Sequence, residues 1–228
     1  MGACATSRPH GAIAARDGEC ATDVGRRLHL AADEAVLLPA WESLRVSVPS
    51  ARIVIAPHEP TRAHLAPLTA WAERASLRYA MLGQVERGEG HADETDVLIV
   101  DRVGVLGDLY AHATAAYVGG GFHKAGLHSA IEPAAFGAPV LFGPGHHMSR
   151  EAGLLLAAGA ARSVDTAKAL MNALSRWLGN DEQAQAARVQ AGDAARAVVQ
   201  QELGATERSV ALVREVLPLN RSTTDQRR

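Results

Sequence analysis

The feature that most constrains this chain is a regular alternation between short apolar runs and stretches of helical spacing. "RIVIA" at 52–56, "DVLIVD" at 96–101, "AAYVGG" at 115–120 and "APVLFG" at 138–143 are apolar on successive residues rather than on every second one. Runs of that kind suit strands covered on both faces, because alternation is needed only where one face meets water. Between them the apolar residues fall three and four apart, the spacing by which a helix buries one stripe. Val36, Leu37, Trp41, Leu44 and Val48 set that pattern over 33–48, and Pro49 ends it. Repeated strand, helix, strand units predict a doubly wound parallel α/β sheet, since parallel neighbours need a crossover and the crossover covers a face.

The alternation continues with helices over 60–74, 106–112, 129–136 and 150–158 and strands over 77–82 and 161–164. Helical segments at 166–178, 182–203 and 206–217 then close the chain. Residues 1–30 follow neither period and are read as a disordered leader, residues 31–217 as one domain and residues 218–228 as a polar, frayed tail. Composition agrees with a helix-rich fold: 47% of the residues are hydrophobic, enough for a sizeable core, while only 4% are aromatic. A net charge of -2 gives no electrostatic footprint for nucleic acid. Cys4 and Cys20 fit neither a disulfide framework nor a metal site. No run approaches the roughly 18 apolar residues of a membrane span, and no signal-peptide pattern opens the chain, so a cytoplasmic location is expected.

In an open α/β sheet ligands bind beyond the carboxyl ends of the strands, which directs attention to the residues just after each strand. Pro57 and His58 follow "RIVIA", Val103, Gly104 and Val105 follow "DVLIVD", and Gly119, Gly120 and Gly121 end "AAYVGGG". Three glycines there allow close backbone approach, so that N–H groups can face an anionic or polar ligand; a tight turn with no ligand is the alternative. Ser129 and Glu132 have capping-box spacing, and Pro133 holds Glu132 close to a helix start. A carboxylate there can accept both hydroxyls of a ribose. His58, facing a glycine loop, offers a donor for a phosphate, His128 shares the cleft of Ser129, and His146 and His147 read as solvated loop residues. No metal-site spacing, phosphate-binding P-loop or G-x-S-x-G motif occurs, which disfavours NTPases and hydrolases.

The segment "YVGGGFHKAGLHSAIEPAAFGAPVLFGP", with "APHEPT" and "DRVGVLGDLY" before it, resembles the C-terminal domain of bacterial 3-deoxy-D-manno-octulosonic acid (Kdo) transferases. The resemblance runs from about 31 to 217 and is most specific over 118–144. It implies one Rossmann-like half of a GT-B glycosyltransferase that takes Kdo from CMP-Kdo to a lipid A precursor, without a bound metal or other cofactor, at the cytoplasmic face of the inner membrane. Pro57 and His58 stand where the family has a Pro-Arg-His nucleotide contact, lacking the Arg. Val103 to Val105 occupy its Met-Gly-Glu loop, whose backbone contacts CMP. Ser129, Ala130, Ile131 and Glu132 match its Asn-Pro-Leu-Glu segment, where Glu binds the ribose. The family's Gly-Ser-Thr-Trp loop is expected before Asp33, where this chain reads "GRRLHLAA". The resemblance also implies that the acceptor-binding domain and the catalytic base lie in an N-terminal half absent here, so no catalytic residue is assigned and the chain alone is expected to be inactive. A GT-B transferase for a UDP-sugar, a non-catalytic nucleotide-binding remnant and a CMP- or sugar-responsive interaction module are the rival readings.

Overall fold

The computed structural model describes residues 12–16, by their backbone, together with 32–124 and 126–216. Seven strands form one sheet: β1 (Ala12–Arg16), β2 (Arg52–Ala56), β3 (Tyr79–Met81), β4 (Val97–Ile99), β5 (Ala115–Val118), β6 (Val140–Phe142) and β7 (Ala161–Ser163). Their order is β3-β4-β2-β1-β5-β6-β7 and every pairing is parallel. The doubly wound α/β expectation therefore describes the molecule. All four residues of β5 are buried, as a strand covered on both faces must be, whereas β2 and β4 bury Ile53, Ile55, Val97 and Ile99 and leave Val54 and Leu98 half-buried.

The centre of the sheet departs from expectation. Residues 1–30 read by period as a leader without structure, yet Ala12–Arg16 is the central strand, pairing Ile13 with Ile53 on one side and with Ala115 on the other. "AIAAR" holds a single β-branched residue, so propensity does not single it out; the ladder bonds of two neighbouring strands make it a strand. The remaining expectations for 1–30, and those for 218–228, lie outside the described residues.

Helices α1 (Glu34–Ser47), α2 (Arg62–Arg74), α3 (Leu82–Glu86), α4 (Leu106–Tyr110), α5 (Ile131–Ala135), α6 (Arg150–Ala157), α7 (Ala167–Leu178), α8 (Glu182–Glu202) and α9 (Ala205–Val216) complete the order. α1 packs on α7, burying Trp41 and Leu44 with Leu174 and Trp177 in one cluster that reaches β2, β4 and β5. A second cluster joins Val118, Ala134, Phe142, Leu155 and Val198 from β5, α5, β6, α6 and α8. Thr166 and Asp181 accept N–H bonds from Ala169 and Ala184 and so cap α7 and α8. The strand expected over 77–82 is shorter than its apolar run, because Leu82 starts α3. No helix among the described residues is long and apolar enough to cross a membrane.

Candidate functional site at the strand ends

The strand order reverses between β1 and β5, and the crevice at such a reversal is where a doubly wound sheet holds ligands. Gly119, Gly120 and Gly121 leave β5 there. Gly120 has φ +88°, and a Cβ on it would collide with the carbonyl oxygen of Gly126 and touch the His128 ring. Only glycine fits. A Cβ on Gly143, which follows β6, would come within 2.6 Å of the Gly121 carbonyl carbon. The Gly145 N–H donates to Gly121 O at 2.7 Å and the His128 N–H to Gly119 O at 3.1 Å, which ties the loop to both flanking segments.

His58, one residue beyond the buried Pro57, stacks on His128 with ring centroids 5.2 Å apart and planes 28° from parallel. This brings together two residues that lie 70 positions apart in the sequence, 128 minus 58. The His58 Nδ1 is buried and has no hydrogen-bond partner among the described residues. Buried polar nitrogens are normally satisfied, so this atom wants a partner that the described residues do not supply. Val105 packs with Ala56 and Val100 in a small cluster, which sets the 103–105 loop beside the end of β2; Val103 and Gly104 are exposed.

Glu132 is the second residue of α5, half-exposed, and makes no hydrogen bond or ion pair among the described residues. The capping-box alternative fails: Ala130 is the N-cap, no side chain caps α5, and Ser129 is exposed. Ala130 is buried and Ile131 half-buried, so they support the segment more than they present it. A cleft of about 400 Å³ runs beside His128, between Leu127, Ser129, Ile131, Ser149 and Glu151, within the size range of small-molecule sites. A hollow of about 520 Å³ lies against edge strand β7, between Leu156, Arg162 and Asn172, two strands from the glycine loop.

His146 and His147 continue from Phe142 as a chain of tilted rings, with centroid separations of 5.1 and 4.9 Å. Burial, helped by the neighbouring His147, lowers the His146 pKa, while His147 is exposed as a loop residue would be. No group of three His, Cys, Asp or Glu among the described residues could hold a metal ion.

Sequence reasoning misses Asp33. Its carboxylate is 3% exposed and accepts from the Tyr117 hydroxyl at 2.6 Å through Oδ1 and from the Gly120 N–H at 3.0 Å through Oδ2. The available signal is Tyr117, a hydroxyl inside an otherwise apolar strand that must find a partner when buried. That signal predicts a polar residue at the covering helix without saying which.

A seven-stranded parallel sheet among the described residues, with a glycine loop at its switch point, defines the fold class: a doubly wound, Rossmann-like sheet of the kind that forms one half of GT-B glycosyltransferases. Within that class the chain is similar in sequence to the bacterial Kdo transferases. It is 32% identical over 211 residues to the 3-deoxy-D-manno-octulosonic acid transferase of Bordetella pertussis, a match covering 90% of this chain and 44% of that protein. It is 46% identical over 54 residues to the enzyme of the same name from Aquifex aeolicus, covering 24% of this chain and 15% of that one. The chain thus spans less than half the length of these relatives. Among solved structures, the C-terminal CMP-Kdo binding domain of WaaA from Acinetobacter baumannii shares the fold with TM-score 0.63 at 18% identity, covering 82% of this chain and 89% of that domain. Sucrose-phosphate synthase from Thermosynechococcus elongatus does so with TM-score 0.56 at 15% identity, over 92% of this chain and 46% of that one. No protein-family profile matches the chain.

Proposed function

We propose that this chain is a donor-binding domain for a CMP-activated Kdo unit, and that with an acceptor-binding half it transfers Kdo to a lipid A precursor at the cytoplasmic face of the inner membrane. The observation that carries the reading is the meeting of His58 and His128 over the glycine loop at the switch point, with an unpartnered imidazole nitrogen buried beside it. An imidazole N–H there can donate to a phosphate oxygen, and charge-assisted bonds of that type are the strong ones. Glu132, unengaged at the start of α5, supplies two acceptors for the ribose hydroxyls. The 103–105 loop, beside the end of β2, offers backbone groups to the base. We propose no resident metal or other cofactor, because transfer from a nucleotide-linked sugar can rest on positioning and hydrogen bonding alone.

Homology to the Kdo transferases favours cytidine over uridine, since a UDP-sugar transferase of the same fold could use the same glycine loop and glutamate. Calorimetric titration of the chain with CMP, UMP and UDP tests this. Tightest binding for CMP is expected; a preference for UDP would replace the reading with that of a UDP-sugar transferase, and no nucleotide binding at all would overturn the donor-binding reading.

A further inference from the structure

The glycine loop has a second property that bears on which nucleotide can enter. In many nucleotide sites the N–H groups of such a loop form a concave nest for phosphate oxygens. Here the Gly120 N–H is already engaged by Asp33 Oδ2 at 3.0 Å, and the other carboxylate oxygen takes the Tyr117 hydroxyl at 2.6 Å. Asp33 is 3% exposed and Tyr117 lies fully inside the core, so solvent does not screen this carboxylate from the loop it holds. An ionised carboxylate offers acceptors only, and a phosphate arriving at the same N–H meets a like charge with no donor left to share. On its other edge Gly121 rests against the backbone of Gly143, and Gly121 O accepts from Gly145.

We infer that Asp33 sets the site for a nucleotide carrying one phosphate and excludes a second one from the glycine loop. The inference deepens the donor-binding reading and rests on it. The single phosphate is then left to His58, whose Nδ1 has no partner among the described residues. Asp33 acts through the loop rather than on reacting atoms, so it is a positioning and specificity residue. Asp33→Asn separates its two effects: the amide oxygen can still accept from Gly120, while the amide nitrogen can donate to the Tyr117 oxygen, and the charge is gone.

CMP and CDP are titrated calorimetrically into the unmodified chain and into Asp33→Asn, with thermal unfolding as the check on folding. The unmodified chain is expected to prefer CMP over CDP by about tenfold or more, the scale of one buried like-charge contact, and Asp33→Asn should erase most of that preference by strengthening CDP. An equal CMP-to-CDP ratio in both chains, with binding intact, overturns the inference and leaves the donor-binding reading standing. Failure of the unmodified chain to bind either nucleotide sinks that reading instead. In that case inorganic pyrophosphate, followed by the amide shifts of Gly119 to Gly121, still decides the loop: silence in the unmodified chain and a response in Asp33→Asn support closure, whereas equal responses refute it. Should Asp33→Asn fail to fold, Tyr117→Phe keeps the carboxylate on Gly120 and should keep the preference for CMP; its loss there would contradict the assignment to Asp33.

Discussion

Glu132 is a carboxylate in the first turn of α5 with no partner among the described residues, and that separates it from the acids that tie elements together. Asp33, Asp96 and Asp181 all commit oxygens to backbone or side-chain donors, whereas neither carboxylate oxygen of Glu132 has a partner among the described residues, as the proposed ribose contact requires. Replacing Glu132 by Ala should weaken CMP binding by about 1–3 kcal/mol, the loss expected for hydrogen bonds to a charged group, with unfolding behaviour unchanged. Ser129→Ala should leave helix stability alone, because Ser129 caps nothing. Calorimetry and a thermal melt on both variants check this, and an undiminished CMP affinity in Glu132→Ala would remove Glu132 from the site. At this scale the sequence exposes the residues themselves. His58, His128 and Glu132 stand where strand ends and a proline-marked helix start direct the eye. The stacking of His58 on His128 and the carboxylate behind Gly120 are not readable, because both depend on contacts across 70 and 87 residues of chain.

Elements are legible in proportion to their length and periodicity. The helix expected over 33–48 appears as Glu34–Ser47 and the strand over 52–56 as Arg52–Ala56, since each carries a full apolar pattern. α3, with five residues, is too short to show a period, and β1 lacks the β-branched residues that announce a strand. Packing between elements follows small residues. α8 crosses the end of α5 so closely that a Cβ on Gly192 would lie 2.5 Å from Gly137 O, while a Cβ on Gly153 in α6 meets nothing within 4 Å. Gly192→Ala should therefore destabilise the fold by about 1–3 kcal/mol through forced separation of the helices. Gly153→Ala should stabilise it by roughly 0.5–1 kcal/mol, the helix-interior penalty of glycine. Denaturant unfolding of the pair should give opposite signs; two equal effects would mean that α8 does not approach α5 as described.

A second inter-element tie has a pH signature. Asp96, just before β4, accepts from the Arg78 backbone N–H at 2.9 Å and from its guanidinium at 3.3 and 3.0 Å, and pairs with Arg45 of α1 at 3.0 Å. Burial pushes its carboxyl up, but the Arg78 bonds and the charges of Arg45 and Arg78 outweigh that and hold it below the ordinary carboxylate value. A carboxyl with a depressed folded pKa adds stability that is complete above the unfolded pKa of about 3.9 and is lost as pH falls toward the lower folded value. Unfolding free energy should accordingly decline below about pH 4, and Asp96→Asn should flatten that part of the profile while lowering stability at neutral pH. An acid limb of the same slope in both chains would assign the decline to other carboxylates.

For the whole molecule the question is how much of a transfer reaction one doubly wound half can perform. Inverting transfer needs a base within hydrogen-bond reach of the acceptor hydroxyl, and holding that hydroxyl in line supplies a large share of the rate. The described residues gather two imidazoles, a glycine loop and a helix-start carboxylate at the carboxyl ends of the strands, the groups proposed above to hold the donor. Glu132 and the imidazoles are poor candidates for the base, because holding the nucleotide would occupy them in the donor complex. The 228-residue polypeptide by itself is therefore expected to bind CMP and to show no transfer from CMP-Kdo to a lipid A precursor. Halves of two-domain proteins that meet across a cleft have separate cores, so an acceptor-binding domain from a homologous Kdo transferase, added in trans, should restore measurable turnover. The restored activity should fall again when Glu132 is replaced by Ala, because the donor then loses its ribose contact. Robust turnover by the chain alone would mean that its own residues provide both base and acceptor site, and the division of labour proposed here would have to be abandoned.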